Sequence, residues 1–150
     1  MRTPTLVLTF FLGACAGTAA TTVATQMTPA ASVVPLEKAE HRVAGSGKAS
    51  IDLLAQGSNA FVGILSLDGG AKVPEHQDAT EEYIYLLQGS GTITIDGERH
   101  DVSPETAIFM PANATVSYEN GKDKMVAVQV FAGPGPAAKY DGWEAKAVKR

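Results

Sequence analysis

Three side chains within one short stretch, His76, Asp78 and Glu82, offer an imidazole and two carboxylates at a spacing that can bring them to one point. In an extended strand successive side chains alternate between faces, so His76 and Asp78, two residues apart, are expected to point the same way. Glu82 follows after the short connection Ala79-Thr80-Glu81 and opens the apolar run Tyr83-Ile84-Tyr85-Leu86-Leu87. Imidazole suits Fe, Ni, Cu and Zn, whereas carboxylates favour harder ions, so the set tilts toward Mn or Fe(II) with water in the remaining positions. A plain polar cluster is the competing reading. In it the two acids repel, and one holds a proton or pairs with a protonated His76. Such a cluster can still bind a polar ligand or move a proton.

The elements that must position these groups are strands. From Leu36 onward the chain breaks into short β-prone runs separated by turn residues, at 49–54, 60–67, 72–76, 82–87, 91–95, 98–102, 107–110, 115–118 and 125–131. Helical periodicity is absent through this span. Asp96-Gly97 is a two-residue hairpin signal, because a type I′ turn requires φ > 0 at both central residues. Asp68-Gly69-Gly70 and Gly89-Ser90-Gly91 break strands by the same turn chemistry, and Asn120-Gly121-Lys122-Asp123 precedes the final strand. Gly133-Pro134-Gly135-Pro136 is expected to end the regular structure, leaving 134–150 as a tail whose Tyr140 and Trp143 pack back on the domain or on a partner subunit.

The run from Gly70 through His76-Gln77-Asp78 and Glu82 to Gly89 resembles the first motif of the cupin family: Gly, five residues, His-x-His, three or four residues, Glu, six residues, Gly. Asp78 stands in the place of the second histidine. Pro111-Ala112-Asn113 through Val116 to Asn120 resembles the second motif, with Asn113 in a glycine position that Asn tolerates and Asn120 where an Asn is expected. Val116 takes the place of the last histidine and has no lone pair to offer. Ser103-Pro104-Glu105-Thr106 replaces a turn that is commonly Gly-Asp. The resemblance implies an all-β, single-domain, cupin-type jelly-roll barrel over 36–133 with a divalent metal (Fe, Mn, Ni or Zn) inside, held here by His76, Asp78 and Glu82. It also implies a small-molecule ligand, and sheet-to-sheet pairing into a homodimer as an option.

The length of 150 residues and an apolar content of 45% fit one globular domain. A net charge of −4 argues against a nucleic-acid partner. Arg2 followed by the apolar stretch 5–12 reads as an export signal over 1–14, too short to span a bilayer. Leu12-Gly13-Ala14-Cys15 resembles a bacterial lipobox, which would place lipid on Cys15, the single cysteine, and anchor the chain to a membrane of the cell envelope. The uncharged, Thr-, Ala- and Pro-rich stretch up to Pro35 then reads as a flexible tether, so that 15–35 is linker. An ordinary signal peptide releasing a soluble secreted or periplasmic protein is the alternative. His41 and His100 are expected at the surface. No Gly-x-Ser-x-Gly elbow, phosphate loop or dinucleotide fingerprint is present.

Two functional expectations follow. The first is an exported, lipid-anchored binding module that holds a small molecule and whose metal site is degenerate, with its second and last histidines replaced by Asp78 and Val116. The other is a metal-dependent enzyme of dioxygenase, isomerase or decarboxylase type using His76, Asp78 and Glu82.

Overall fold

The computed structural model describes residues 30–147. A short 3-10 turn at Leu36–Lys38 leads into eleven strands: β1 (Glu40–Val43), β2 (Ala49–Gln56), β3 (Phe61–Leu67), β4 (Lys72–His76), β5 (Glu82–Gln88), β6 (Gly91–Ile95), β7 (Glu98–Val102), β8 (Ala107–Met110), β9 (Val116–Asn120), β10 (Met125–Phe131) and β11 (Glu144–Ala145). Between β10 and β11 an eight-residue 3-10 helix spans Gly135–Gly142. The strands form a seven-stranded sheet in the order β11-β1-β2-β3-β10-β5-β8 and a four-stranded sheet in the order β4-β9-β6-β7.

This corrects the expected all-β jelly-roll barrel. Among the described residues no strand pairing joins one sheet to the other, so neither closes, and a helical segment with its own small strand is built onto the strands. The physical reason lies at the C-terminus. Pro134 and Pro136 favour a helical start, and Tyr140 is apolar enough to bury, so the chain turns back instead of ending at Pro136. The Arg42 guanidinium on β1 holds the returning segment by donating to the Tyr140 carbonyl and to Asp141 Oδ1, each at 2.9 Å. β11 then pairs with β1, matching Arg42 to Ala145.

The two sheets share one apolar core. Phe61, Phe131, Ile51 and Leu86 are its largest fully buried side chains from the larger sheet, and Ile93, Val116 and Tyr118 meet them from the smaller one. Each fully buried side chain of this size contributes about 1.5–3 kcal/mol relative to exposure. In β10 the core-facing set is Met125, Ala127, Gln129 and Phe131, a strict two-residue alternation broken in chemistry at Gln129 alone. Asp96 and Gly97 both have positive φ, at 48° and 86°, and join β6 to β7 with Ile95 opposite Glu98, as a type I′ hairpin requires. Asn120 is buried, and its side-chain amide donates to the carbonyls of Leu67, Asp68 and Asp123, tying together the turns at that end.

The expected signal peptide at 1–14, the lipidated Cys15 and most of the 15–35 tether lie outside the described residues. No helix among the described residues is long and apolar enough to cross a membrane. His41 is not a surface residue as expected: it is part-buried on β1, with Nδ1 2.8 Å from Asp52 Oδ1. His100 is exposed on β7.

Candidate functional site

His76 is the last residue of β4, at the edge of the smaller sheet. The pairing of β4 with β9 is regular at Lys72 and Val73, then shifts register before His76, at Pro74 and Glu75. Irregularities of this kind re-aim a side chain, and Pro74, which has no N–H for a ladder, suits one. The Pro74 carbonyl also lies 3.0 Å from His76 Nδ1. With Nδ1 as the protonated nitrogen donating to that carbonyl, Nε2 is left with its lone pair facing the acids, the arrangement usual for metal-binding imidazoles.

Asp78 is not on the strand. The chain leaves β4 after His76, so the expected alternation does not place it; a loop does, pinned by the Asn113 N–H donating to the Asp78 carbonyl at 2.7 Å. Asn113 takes φ of 63°, the left-handed region, at the glycine-like position of the second motif. The outcome is nevertheless the expected convergence, since Asp78 Oδ2 lies 3.8 Å from His76 Nε2.

Glu82 opens β5 in the other sheet and is 6% exposed. Gln129 on β10 donates from Nε2 to Glu82 Oε1 at 2.6 Å and accepts the Tyr140 hydroxyl on Oε1 at 2.5 Å. Burial pushes the Glu82 carboxyl above its ordinary value of 4.5, against the lowering influence of the Gln129 hydrogen bond and of Lys139, and with a smaller upward push from Asp78. Burial, reinforced by the Glu82 charge, pushes the Tyr140 phenol well above its ordinary range, so it stays a donor. That fixes the orientation of the Gln129 amide between the two.

One donor atom from each of His76, Asp78 and Glu82 lies within 4.8 Å of the others. These groups line a cavity of about 570 Å³ whose walls also include Leu65, Leu67, Leu86, Ile93, Met125 and Trp143. Val116 stands opposite His76 in the β4–β9 register and is 8% exposed, part of the apolar wall. The expected degenerate site is therefore corrected. Valine at 116 does not scatter the cluster: with it in place the other three donors still converge. Three protein donors at this spacing are able to coordinate a divalent metal ion. The binding-module reading loses its motive with it, since that motive was the missing ligand; its anchor on Cys15 lies outside the described residues.

Sequence reasoning missed Gln129 and Lys139, both from the C-terminal half, whereas Tyr140 and Trp143 pack back on the domain as expected. Lys139, on the second 3-10 helix, places Nζ 2.7 and 3.0 Å from the two Asp78 oxygens and 4.8 Å from the centre of the Phe131 ring. Tyr140 packs on Phe61 at 5.9 Å between ring centres, and Trp143 meets Tyr140 edge-on at 4.9 Å. For Gln129 a signal exists, a lone amide in the inward register of an apolar strand. For Lys139 there is none, because a tertiary contact places its helix.

The sequence model described as Cupin domain matches residues 63–131, which span β3 to β10 and include all three donors. No curated protein matches the chain. Among solved structures, an RmlC-like cupin from Shewanella frigidimarina aligns over 69% of this chain and 92% of its own with a TM-score of 0.64 at 15% identity. A polyketide cyclase, RemF, from Streptomyces resistomycificus aligns over 68% and 79% with a TM-score of 0.61 at 17% identity. A predicted oxalate decarboxylase from Thermotoga maritima aligns over 68% and 99% with a TM-score of 0.60 at 19% identity. At these identities the likeness is one of fold.

Proposed function

From a chain that carries a cupin-superfamily domain, related in fold to several cupin and RmlC-like proteins, we propose a metal-dependent enzyme acting on a small molecule, with His76, Asp78 and Glu82 holding one divalent ion. The observation that carries this reading is the convergence of the three donor atoms within 4.8 Å in the wall of a cavity lined mainly by apolar side chains. The donor set fits the ion: one nitrogen and two carboxylates suit Mn or Fe(II), with Ni and Zn as further candidates. When bound, such an ion supplies Lewis-acid or oxygen-activating chemistry.

The chain's own residues supply the rest. The Pro74 carbonyl orients the imidazole, and Gln129 fixes the rotamer of the Glu82 carboxylate by a charge-assisted hydrogen bond. The apolar walls accept a ligand whose body is hydrophobic. Their low polarity strengthens electrostatic contacts at the three donors. The fold neighbours support a reaction on a small organic substrate, of cyclase or decarboxylase type, without choosing between them.

The test is elemental analysis of protein purified without chelator, beside His76→Ala and Glu82→Ala. A stoichiometric ion is expected in the parent protein and its loss in both variants. Undiminished metal in both would rule this site out.

A further inference from the structure

The only ammonium in contact with the three-donor cluster, among the described residues, comes from outside the region that aligns with the family. Lys139 lies beyond residue 131, on the helix that folds back over the cavity. Its Nζ engages both oxygens of Asp78, at 2.7 and 3.0 Å, where a metal ion would need at least one of them. The Asp78 side chain is mostly shielded, at 15% exposure, while that of Lys139 remains 35% exposed. The ammonium also lies over the Phe131 ring, a cation–π contact that holds it in place. The helix that carries it is fastened by Arg42 and by burial of Tyr140. Lys139 is thus held at the site by the fold.

We propose that Lys139 is a tethered counter-cation that competes with the metal ion for Asp78 and thereby sets the affinity of the site. The inference rests on the metal-binding reading above and adds to it a residue that is not a ligand. In the metal-free protein the ammonium compensates the repulsion between Asp78 and Glu82. An ion arriving on the same carboxylate meets a like charge in direct contact with it, at a range where water screens the repulsion only in part. Loading therefore exchanges one cation for another, and the exchange weakens binding compared with a site lacking the lysine. Without Lys139 the acidic pair has no compensating charge, and the ion becomes the means of relieving its repulsion.

Calorimetric titration with Mn²⁺ tests this on the full chain and on Lys139→Met, Lys139→Gln, Lys139→Arg and His76→Ala. Methionine keeps the unbranched stem over Phe131 and glutamine a polar tip, so either variant removes the charge should the other fail to fold. Both are expected to bind Mn²⁺ at least tenfold more tightly than the parent, while Lys139→Arg stays near it. Equal or weaker binding by the neutral variants, with the parent still binding and His76→Ala not, overturns the role of Lys139 and leaves the metal site standing. If neither the parent nor the neutral variants bind, both readings fall.

Discussion

Gln129 bonds Glu82 across neighbouring strands at 2.6 Å and has no freedom to turn, because the Tyr140 hydroxyl occupies its other end. One amide therefore links the inner face of the larger sheet to the C-terminal helix. Gln129→Leu, of similar volume, leaves a buried carboxyl and a buried phenol without partners. The expected loss is about 1–3 kcal/mol for each orphaned group, read from urea unfolding. An unchanged unfolding midpoint would show that water replaces the amide at no cost.

The pH dependence of the metal-free protein follows from the same carboxyl. Glu82 is held above 4.5 by burial, so the fold favours its neutral form. The associated stability is fully present below 4.5, where the unfolded chain is also protonated, and is lost as pH rises through the raised folded value. In chelator, Glu82→Gln should match the parent below 4.5, gain on it as pH rises from 4.5 through the raised folded value, and hold a constant advantage above it. A stability difference that stays constant across the whole range would contradict the assignment.

Val116 offers a constructive test. It faces His76 in the register of β4 and β9 and lines the cavity wall. Cross-strand partners bring their Cβ atoms to about 4.5–5.5 Å, so Val116→His places a second imidazole beside the first. Tighter Mn²⁺ or Zn²⁺ binding in calorimetry is expected. Weaker binding would mean that the open position lies on another side of the cluster.

Asn113 holds the Asp78 loop through its backbone while sitting at a φ of 63°. Asn113→Gly should leave stability within a few tenths of a kcal/mol of the parent or raise it, whereas Asn113→Ala should cost about 1–2 kcal/mol. Thermal melting distinguishes the two. Equal melting temperatures would remove backbone strain as the reason for the residue.

Local patterns carried much of the architecture. The two-residue alternation of β10, the Asp96-Gly97 turn and the glycines at 70 and 89 locate strands from neighbours in the sequence, and β4, β6, β7, β8 and β10 fall at the expected bounds. The site was legible to the extent that one short stretch supplies all three donors. Three things were not legible. Strand periodicity cannot tell whether two sheets close on each other, because closure depends on pairings between residues far apart. The loop position of Asp78 depends on Asn113, far along the chain. The placing of Lys139 depends, through Tyr140, on Arg42 and Phe61, which lie near the other end of the domain.

His76 ends a strand of the smaller sheet and Glu82 begins one of the larger, and the Asp78 loop is one of the connections that cross between the two sheets. An ion gripped by all three residues would rivet the two sheets together at a seam that, among the described residues, no backbone hydrogen-bond ladder bridges. Occupancy would then add about 2.7 kcal/mol of resistance to unfolding at one hundred times the dissociation constant, and chelation should let this seam loosen first.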